Sequence, residues 1–327
     1  MLRIGVDLGG TKTEGIVMNH AGKILFRERR PTPQAQGYDA ILENIRTLVL
    51  DLEKMAGQPC RVGIGTPGAI STHTGCLKNS NTVCLNGKPI HKDIEQILNR
   101  PIRIANDANC FTLSEALDGA ARGEAIVFGV ILGTGVGGGV VVNNHLVEGL
   151  QHIAGEWGHN LLEPDGPPCY CGRRGCVETL LSGPGLAHDY SMHGGDPSID
   201  AQAIVERAAQ GDAPVESANG SNHKTGRTRG AGRVSVTAYS PRLDPIAEAA
   251  MQRYLDRFGR ALATVINILD PHAIVLGGGM SNIRRLYTEG RERVARHVFN
   301  DELRTLILPN VHGDSSGVRG AAHLWVP

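Results

Sequence analysis

The chain has 327 residues, and its 33 Lys plus Arg balance its 33 Asp plus Glu, so the formal net charge is zero. Such a balance provides no positive field to hold nucleic acid or an anionic membrane, and we expect neither partner. No apolar run approaches the ~18 residues of a spanning helix, and Asp7 interrupts the apolar start, so no signal peptide is expected. The odd number of cysteines, seven, fits a reducing cytoplasmic location, and the length suggests two domains.

Three short apolar runs each end in a glycine turn. Residues 2–8 precede Gly9-Gly10-Thr11-Lys12, residues 125–132 precede a turn at 133–139, and residues 273–276 precede a turn at 277–279. Each pattern predicts a strand followed by a turn whose backbone N–H groups can face an anion. Three such turns in one chain indicate a composite nucleotide site.

The segments between these turns alternate between helical and strand patterns. Helical periodicity covers residues 38–55, 109–121 and 246–268, and strand patterns cover 61–66 and 102–105. Residues 140–147 read as a hairpin around Asn143-Asn144. The alternation predicts α/β layers. Residues 212–243 contain few large apolar side chains, so we expect a mobile surface insertion there.

Two stretches, 63–68 and 133–138, match the G-x-G-x-x-G spacing of dinucleotide-binding proteins. That motif requires a strand before it and a helix after it, because the pyrophosphate sits on the helix N-terminus. A polar turn follows the first match and a hairpin follows the second. We therefore reject a nicotinamide-dependent dehydrogenase.

Three cysteines and one histidine lie within 18 residues. His159, Cys169, Cys171 and Cys176 can supply the four N/S ligands that tetrahedral zinc requires. A full set of protein ligands leaves no open position, so this zinc would be structural. Glu156 and Glu178 flank the ligands, and a metal would hold both carboxylates in a set geometry.

Two further motifs carry carboxylates next to predicted strand ends. Asp7 with the following glycine turn can hold a metal-bound phosphate, although a tight surface hairpin is the alternative. Asn106-Asp107 follows the predicted strand at 102–105 and opens a helix. Asp107 could be a catalytic base at a strand end or a simple helix N-cap, and the residues alone do not separate these interpretations.

In this order, the motifs resemble the ROK family of sugar kinases and repressors, within the actin/hexokinase superfamily, and more closely bacterial fructokinases of the manno(fructo)kinase type. The resemblance runs from residue 2 to about 325, apart from the insertion. It implies a two-lobed α/β fold, actin/hexokinase-like and ribonuclease H-like, with a zinc-stapled loop at 156–178. Residues 1–118 plus about 305–327 would form a small lobe, and residues 119–304 a larger one.

The resemblance also implies a role for each motif residue. Asp107 matches the catalytic base. The sugar contacts would come from Gly68, Asn81, Asn106, Asp107, Glu156, His159 and Glu178. The ATP contacts would come from Asp7, Gly9, Gly10, Thr11, Lys12, Gly133, Thr134, Gly135, Gly137, Gly277, Gly278 and Gly279. The zinc ligands would be His159, Cys169, Cys171 and Cys176. Mg²⁺ would accompany ATP, and a homodimer is expected. Cys84 stands where relatives often carry Trp, which makes sugar stacking at that position uncertain.

These features predict ATP-dependent phosphorylation of a hexose, with D-fructose at O6 as the first choice. Mannose, glucose, N-acetylglucosamine and allose are the alternative substrates, because hydroxyl selectivity depends on loop geometry. A sugar-sensing regulator of the same family is a remote alternative, since the first phosphate turn begins near residue 7 and the chain is neutral. A second remote alternative is a zinc-stapled binding protein without catalysis, which would have no need of Asp107.

Overall fold

The computed structural model describes residues 1–209 and 244–325, so the predicted insertion at 212–243 lies outside the described residues. Twelve strands form two five-stranded sheets and one small two-stranded ribbon. The strands of the first half are β1 (Arg3–Leu8), β2 (Lys12–Met18), β3 (Ile24–Pro31), β4 (Arg61–Thr66), β5 (Ala69–Ile70), β6 (Leu77–Lys78) and β7 (Arg103–Asn106). Those of the second half are β8 (Ile126–Leu132), β9 (Val136–Val142), β10 (His145–Leu146), β11 (Ala273–Gly277) and β12 (Leu306–Pro309).

Helices cover the faces of the two large sheets. They are α1 (Tyr38–Ala56), α2 (Ile90–Leu98), α3 (Asp107–Leu117), α4 (Val177–Leu181), α5 (Gly183–Met192), α6 (Ala201–Ala209), α7 (Pro245–Leu269), α8 (Glu289–Ala295) and α9 (Ser316–His323). Among the described residues, none of these helices is long and apolar enough to cross a bilayer.

The first sheet has the strand order β3-β2-β1-β4-β7. β1 runs antiparallel to β2 and parallel to β4, and β4 runs parallel to β7. The amphipathic helix α1 packs against it because Ile41, Ile45, Leu48 and Leu52 recur at helical spacing and are fully buried. Parallel pairing places the carboxyl ends of β1, β4 and β7 at the same edge of the sheet.

The second sheet has the order β10-β9-β8-β11-β12 and repeats this arrangement. β8 and β9 form an antiparallel pair, and β11 runs parallel to both β8 and β12. Its main helix, α7, begins where Asp244 caps the backbone N–H groups of Ile246 and Ala247. Buried Tyr254 and Phe258 anchor α7 in the core of this half.

The chain returns to the first sheet through α9, a helix of small residues. A Cβ added to Gly63 of β4 would lie 1.9 Å from the carbonyl oxygen of Ala321, and one on Gly5 would lie 2.1 Å from that of Val318. Gly320 in turn allows α9 to approach the backbone of Cys110 in α3. Gly63, the first glycine of the 63–68 motif, therefore serves close packing of helix on strand.

The strands of the second sheet can be compared with the expected boundaries of the two lobes. The return was placed at about residue 305, but β12 at Leu306–Pro309 still pairs with β11 in the second sheet, so the chain leaves that sheet only after Pro309. α3 packs against α9 and also against β8 and β9, so it lies between the two sheets. A division near residue 118 stays a proposal.

Candidate active site

Asp107 is the first residue of α3, directly after β7. Its Oδ1 accepts a hydrogen bond from the N–H of Ala108 at 2.8 Å, and the Oδ1 of Asn106 accepts from the same N–H at 2.9 Å. Burial raises the pKa of Asp107 to about 6, with the charge of Glu156 adding to the shift and the hydrogen bond from Ala108 opposing it. Asn106 already performs the capping, so the Asp107 carboxylate is not required as the helix cap.

Asp7 lies at the carboxyl end of β1 and faces the same region. Burial, together with the charges of Asp107 and Glu14, raises the pKa of Asp7 to about 7. A Cβ on Gly317 would lie 3.2 Å from the Asp7 Oδ2, so the start of α9 closes one side of this carboxylate. Two carboxylates that disfavour each other's ionisation in this way suit a site that receives a cation.

The turn after Asp7 is tight. The N–H of Gly9 donates to the carbonyl of Lys12 at 3.0 Å, and the hydroxyl of Thr32 donates to the Gly9 carbonyl at 2.7 Å. Gly10 and Thr11 line a cavity of about 600 Å³. The Lys12 side chain is exposed and lies 3.9 Å from Asp314, so in this structure it pairs with a surface carboxylate.

The second glycine turn is held by Glu178, one of the predicted sugar contacts. The Oε2 of Glu178 accepts a hydrogen bond from the N–H of Val136 at 3.0 Å. A Cβ on Gly135 would lie 2.6 Å from the same oxygen, so glycine is required for the carboxylate to reach the turn. Gly137 lies within β9, where it packs against Ala108 of α3.

A cavity of about 680 Å³ joins the second and third glycine turns. It is lined by Gly133, Thr134, Gly279 and the start of α5 at Gly183, among others. The turn is linked to this helix because the N–H of Gly183 donates to the Gly133 carbonyl at 2.8 Å.

The other two glycines of the third turn shape the backbone without lining this cavity. Gly278 has a positive φ of 81° and packs against the backbone of Leu132. Gly277 packs against the ring of Phe111.

A larger cavity of about 1260 Å³ brings together most of the predicted sugar contacts. Asn81, Glu156, His159 and Glu178 all line it, next to Thr134 of the second turn. Burial raises the pKa of Glu156, and the charge of Glu178 adds to that shift while His159 opposes it. Carboxylates of this kind accept hydrogen bonds from several hydroxyl groups.

Asn106 and Gly68 are bonded to each other, and they line a separate cavity of about 440 Å³. The Nδ2 of Asn106 donates to the Gly68 carbonyl at 3.2 Å. Gly68 has a φ of 86°, and a Cβ there would lie 2.3 Å from the carbonyl oxygen of Lys78. Only glycine fits this position.

The loop from residue 156 to 178 gathers the predicted zinc ligands. One ligand atom from each of His159, Cys169, Cys171 and Cys176 lies within 4.8 Å of the others. The Cys171 and Cys176 sulfurs are 3.6 Å apart, and the Cys169 sulfur is 3.6 Å from the His159 Nδ1. A tetrahedron with Zn–S of about 2.3 Å has edges of about 3.6–3.8 Å, so the donor set fits zinc.

His159 uses both ring nitrogens in this loop. Nδ1 faces Cys169, and Nε2 lies 3.0 Å from the Tyr170 hydroxyl. The Nδ1 of His159 thus faces the Cys₃His cluster, and a sugar hydroxyl at Nε2 would have to replace Tyr170.

Two structural features of the site were not predicted from the sequence. Asn86 fixes the loop that contains Asn81, because its side chain accepts from the N–H of Ser80 at 2.9 Å and donates to the Ser80 carbonyl at 2.8 Å. Ser182 caps α5 at the cavity of about 680 Å³. Its Ser-Gly-Pro sequence, a cap followed by an early proline, is a helix-start signal that could have revealed this second feature.

Comparisons with known proteins identify the family of this chain. Residues 3–327 match the family model of the ROK family. The chain is 36% identical over 334 residues to an N-acetyl-D-glucosamine kinase from Yersinia pseudotuberculosis, covering 98% of this chain and 97% of that one. A Salmonella heidelberg N-acetyl-D-glucosamine kinase is also 36% identical, with 98% of each chain covered.

The fold can also be compared with a solved structure. The ROK hexokinase from Thermus thermophilus is 29% identical and superposes with a TM-score of 0.79, covering 98% of this chain and 97% of that one. The α/β two-sheet fold is therefore the hexokinase-like fold of these proteins. On the family match and the identity to these relatives, the chain belongs to the ROK family.

Proposed function

We propose that this protein is an ATP-dependent sugar kinase that phosphorylates N-acetyl-D-glucosamine at the primary hydroxyl on C6. The relatives that are 36% identical over 98% of this chain are N-acetyl-D-glucosamine kinases. D-Fructose was the first choice from the sequence, and the comparisons do not support it. They support N-acetylglucosamine, one of the alternatives, better than the fructokinase subtype.

The observation that carries the kinase chemistry is the Asp107 carboxylate. It lies at a strand end with a pKa raised to about 6 by burial, so it is ionised near neutral pH and still basic enough to take a proton. In the proposed reaction Asp107 accepts the proton of the sugar hydroxyl while the oxygen of that hydroxyl attacks the γ-phosphoryl group of ATP. Phosphoryl transfer otherwise depends mainly on positioning and charge stabilisation.

Asp7 is the residue that would hold Mg²⁺. Its carboxylate lies at the carboxyl end of β1, beside the first glycine turn, and carboxylate oxygens are the ligands that a hard cation prefers. Bound Mg²⁺ would neutralise charge on the triphosphate and the transferred group. The backbone N–H groups of the first two glycine turns would bind phosphate oxygens, and the cavity at Gly133, Thr134 and Gly279 would hold the nucleoside.

The Cys₃His cluster would hold a structural zinc. With four protein ligands it would supply no chemistry to the reaction, but it would fix the loop that carries Glu156 and leads into Glu178. These two carboxylates then accept hydrogen bonds from sugar hydroxyls. The expected homodimer and the Mg²⁺ and Zn²⁺ assignments stay part of this proposal.

A coupled assay of ADP release across five sugars tests the proposal. N-Acetylglucosamine, fructose, mannose, glucose and allose would be compared at matched ATP and Mg²⁺ concentrations. We expect the highest kcat/KM with N-acetylglucosamine, by about tenfold or more over glucose. A higher kcat/KM with fructose would restore the fructokinase interpretation. Sugar binding without turnover of any of the five would instead favour a regulator or a binding protein.

A further inference from the structure

A second concave site lies at the end of α3 that is opposite Asp107. It has a volume of about 560 Å³ and is lined by Arg3, Arg61, Arg122, His323 and Asp118, among others. Since α3 has 11 residues, this cavity begins about 15 Å along the helix from the candidate base. Its lining shares no residue with the cavities of about 1260 and 680 Å³, and only His323 with the cavity of about 440 Å³ at Asn106 and Gly68.

The side chains that line this cavity carry more positive than negative charge. Its single carboxylate, Asp118, is already bound by Arg319, by the Nε2 of His323 at 3.1 Å and by that of His312 at 3.2 Å. The partners of Asp118 hold its pKa well below the usual range. Among the described residues, Arg3, Arg61 and Arg122 have no carboxylate within ion-pair distance.

Arg3 is a buried cation, with only 8% of its surface exposed. Its guanidinium donates to the backbone carbonyl of Asn19 at 3.1 Å and lies 3.4 Å from the Nδ1 of His323. Burial lowers the pKa of Arg3, although the charge of Asp118 opposes this. A buried guanidinium without a bound carboxylate is costly, and an anion at this position would offset the cost.

Arg61 is exposed but held in place by stacking. Its guanidinium lies 5.3 Å from the centroid of the Trp325 ring, and that of Arg103 lies 4.7 Å from the same ring. The Trp325 Nε1 donates to the carbonyl of Val62 at 2.7 Å, which fixes the indole. Arg61 therefore loses less side-chain freedom on binding a ligand than a free surface arginine would.

We propose that this cavity binds a small anion that carries a phosphoryl group. Three guanidinium groups that have no carboxylate partner among the described residues supply more positive charge than one carboxylate ligand needs, and arginine forks match phosphate oxygens in pairs. The volume exceeds that of inorganic phosphate, so a phosphate ester fits.

The cavity also joins parts of the chain that belong to different elements. Arg3 and Arg61 lie on β1 and β4, Arg122 follows α3, and His323 ends α9. A bound anion would tie the first sheet to the two segments that connect it with the second sheet.

Isothermal titration with inorganic phosphate, and separately with glucose 6-phosphate, tests this site. The candidate active site would be saturated with N-acetylglucosamine during each titration, and no ATP analogue would be added because its phosphoryl groups could occupy the tested cavity. The variants are Arg61→Gln and Arg122→Gln, with Arg296→Gln as the control because Arg296 is an exposed arginine outside the cavity. Melting curves would establish that each variant folds.

We expect wild type and Arg296→Gln to bind the anion with the same affinity, and both cavity variants to bind at least tenfold more weakly. Binding of both ligands would show that the phosphoryl group alone is recognised, and binding of the ester alone that its sugar contributes as well. Either result supports the site. Absence of binding to wild type at millimolar concentrations, or equal affinity in all four proteins, would overturn it.

Discussion

The Oε2 of Glu178 accepts a hydrogen bond from the backbone N–H of Val136 at 3.0 Å. This bond joins the end of the Cys₃His loop to the second glycine turn, and Glu178 also lines the cavity that contains Glu156 and His159. One carboxylate thus holds a proposed phosphate turn and faces the proposed sugar. Substitution of Glu178 should therefore affect KM for both substrates, and different substitutions should separate the two effects.

Two substitutions of Glu178 test this double role. Glutamine keeps an oxygen that can accept from Val136, so Glu178→Gln should raise KM for the sugar by about tenfold and leave KM for ATP within about threefold. Alanine removes the acceptor, so Glu178→Ala should raise both KM values. Steady-state kinetics with each substrate varied in turn provide the measurement. Equal ATP KM values for the two variants would show that the bond to Val136 does not support the turn.

Metal analysis of the purified protein tests the zinc cluster. We expect about one zinc per chain, and Cys171→Ala should lower both the zinc content and the Tm, the latter by about 5 °C or more. Sugar affinity should also fall, because Glu156 is carried by the same loop. Cys84→Ala is the control, since Cys84 lies outside the cluster. Active protein without zinc, or an unchanged Tm in Cys171→Ala, would contradict this assignment.

The raised pKa of Asp7 predicts a pH-dependent cost to stability. Its folded-state pKa of about 7 exceeds the ordinary value of 3.8, so the folded protein binds more protons between these values and loses stability as pH rises. In buffer without added Mg²⁺, Asp7→Asn should therefore gain stability over wild type from pH 5 to pH 8, by about 2–3 kcal/mol.

Urea unfolding at the two pH values measures this gain. Asp301→Asn, a substitution at an exposed aspartate, should show no such change with pH. A difference between Asp7→Asn and wild type that stays constant from pH 5 to pH 8 would show that Asp7 ionises at its ordinary pKa.

The rate should also depend on pH through Asp107. Because a base must be ionised to accept a proton, kcat/KM for the sugar should rise with pH through an apparent pKa near 6, at saturating Mg²⁺. Initial rates from pH 5 to pH 8 would be compared after doubling the coupling enzymes shows that they do not limit the rate. A flat profile across this range would argue against Asp107 as the base.

Local elements were well predicted because their signals are contained in short stretches. The strand at 61–66 matches β4, and the helix at 38–55 matches α1 to within one residue at its end. The Asn143-Asn144 turn has positive φ at both residues, 49° and 66°, as a two-residue hairpin requires. The clustering of His159, Cys169, Cys171 and Cys176 was predictable for the same reason, since these residues are close in sequence.

Glycine roles were harder to separate, because a turn and a close approach both favour glycine. Gly137 and Gly277 were assigned to nucleotide turns, but their immediate contacts are with Ala108 and Phe111 of α3. The end of the second half was also missed, because the short β12 has no strong periodicity of its own.

The arginine-lined cavity depends on residues far apart in the sequence. Arg3, Arg61 and Arg122 come together only through the pairing of β1 with β4 and the packing of α3 and α9. No periodicity or motif spacing connects such positions. Long-range charge clusters of this kind become visible only once the tertiary structure is known.

The kinetics of Asp107→Asn with N-acetylglucosamine test the central claim most directly. Asparagine can still accept the hydrogen bond from Ala108, so the start of α3 should persist while the proton acceptor is lost. We predict that kcat falls by about 10²-fold or more and that sugar affinity, measured by equilibrium binding, stays within about threefold of wild type. A kcat within about threefold of wild type would reduce Asp107 to a helix-start residue and contradict the proposed mechanism.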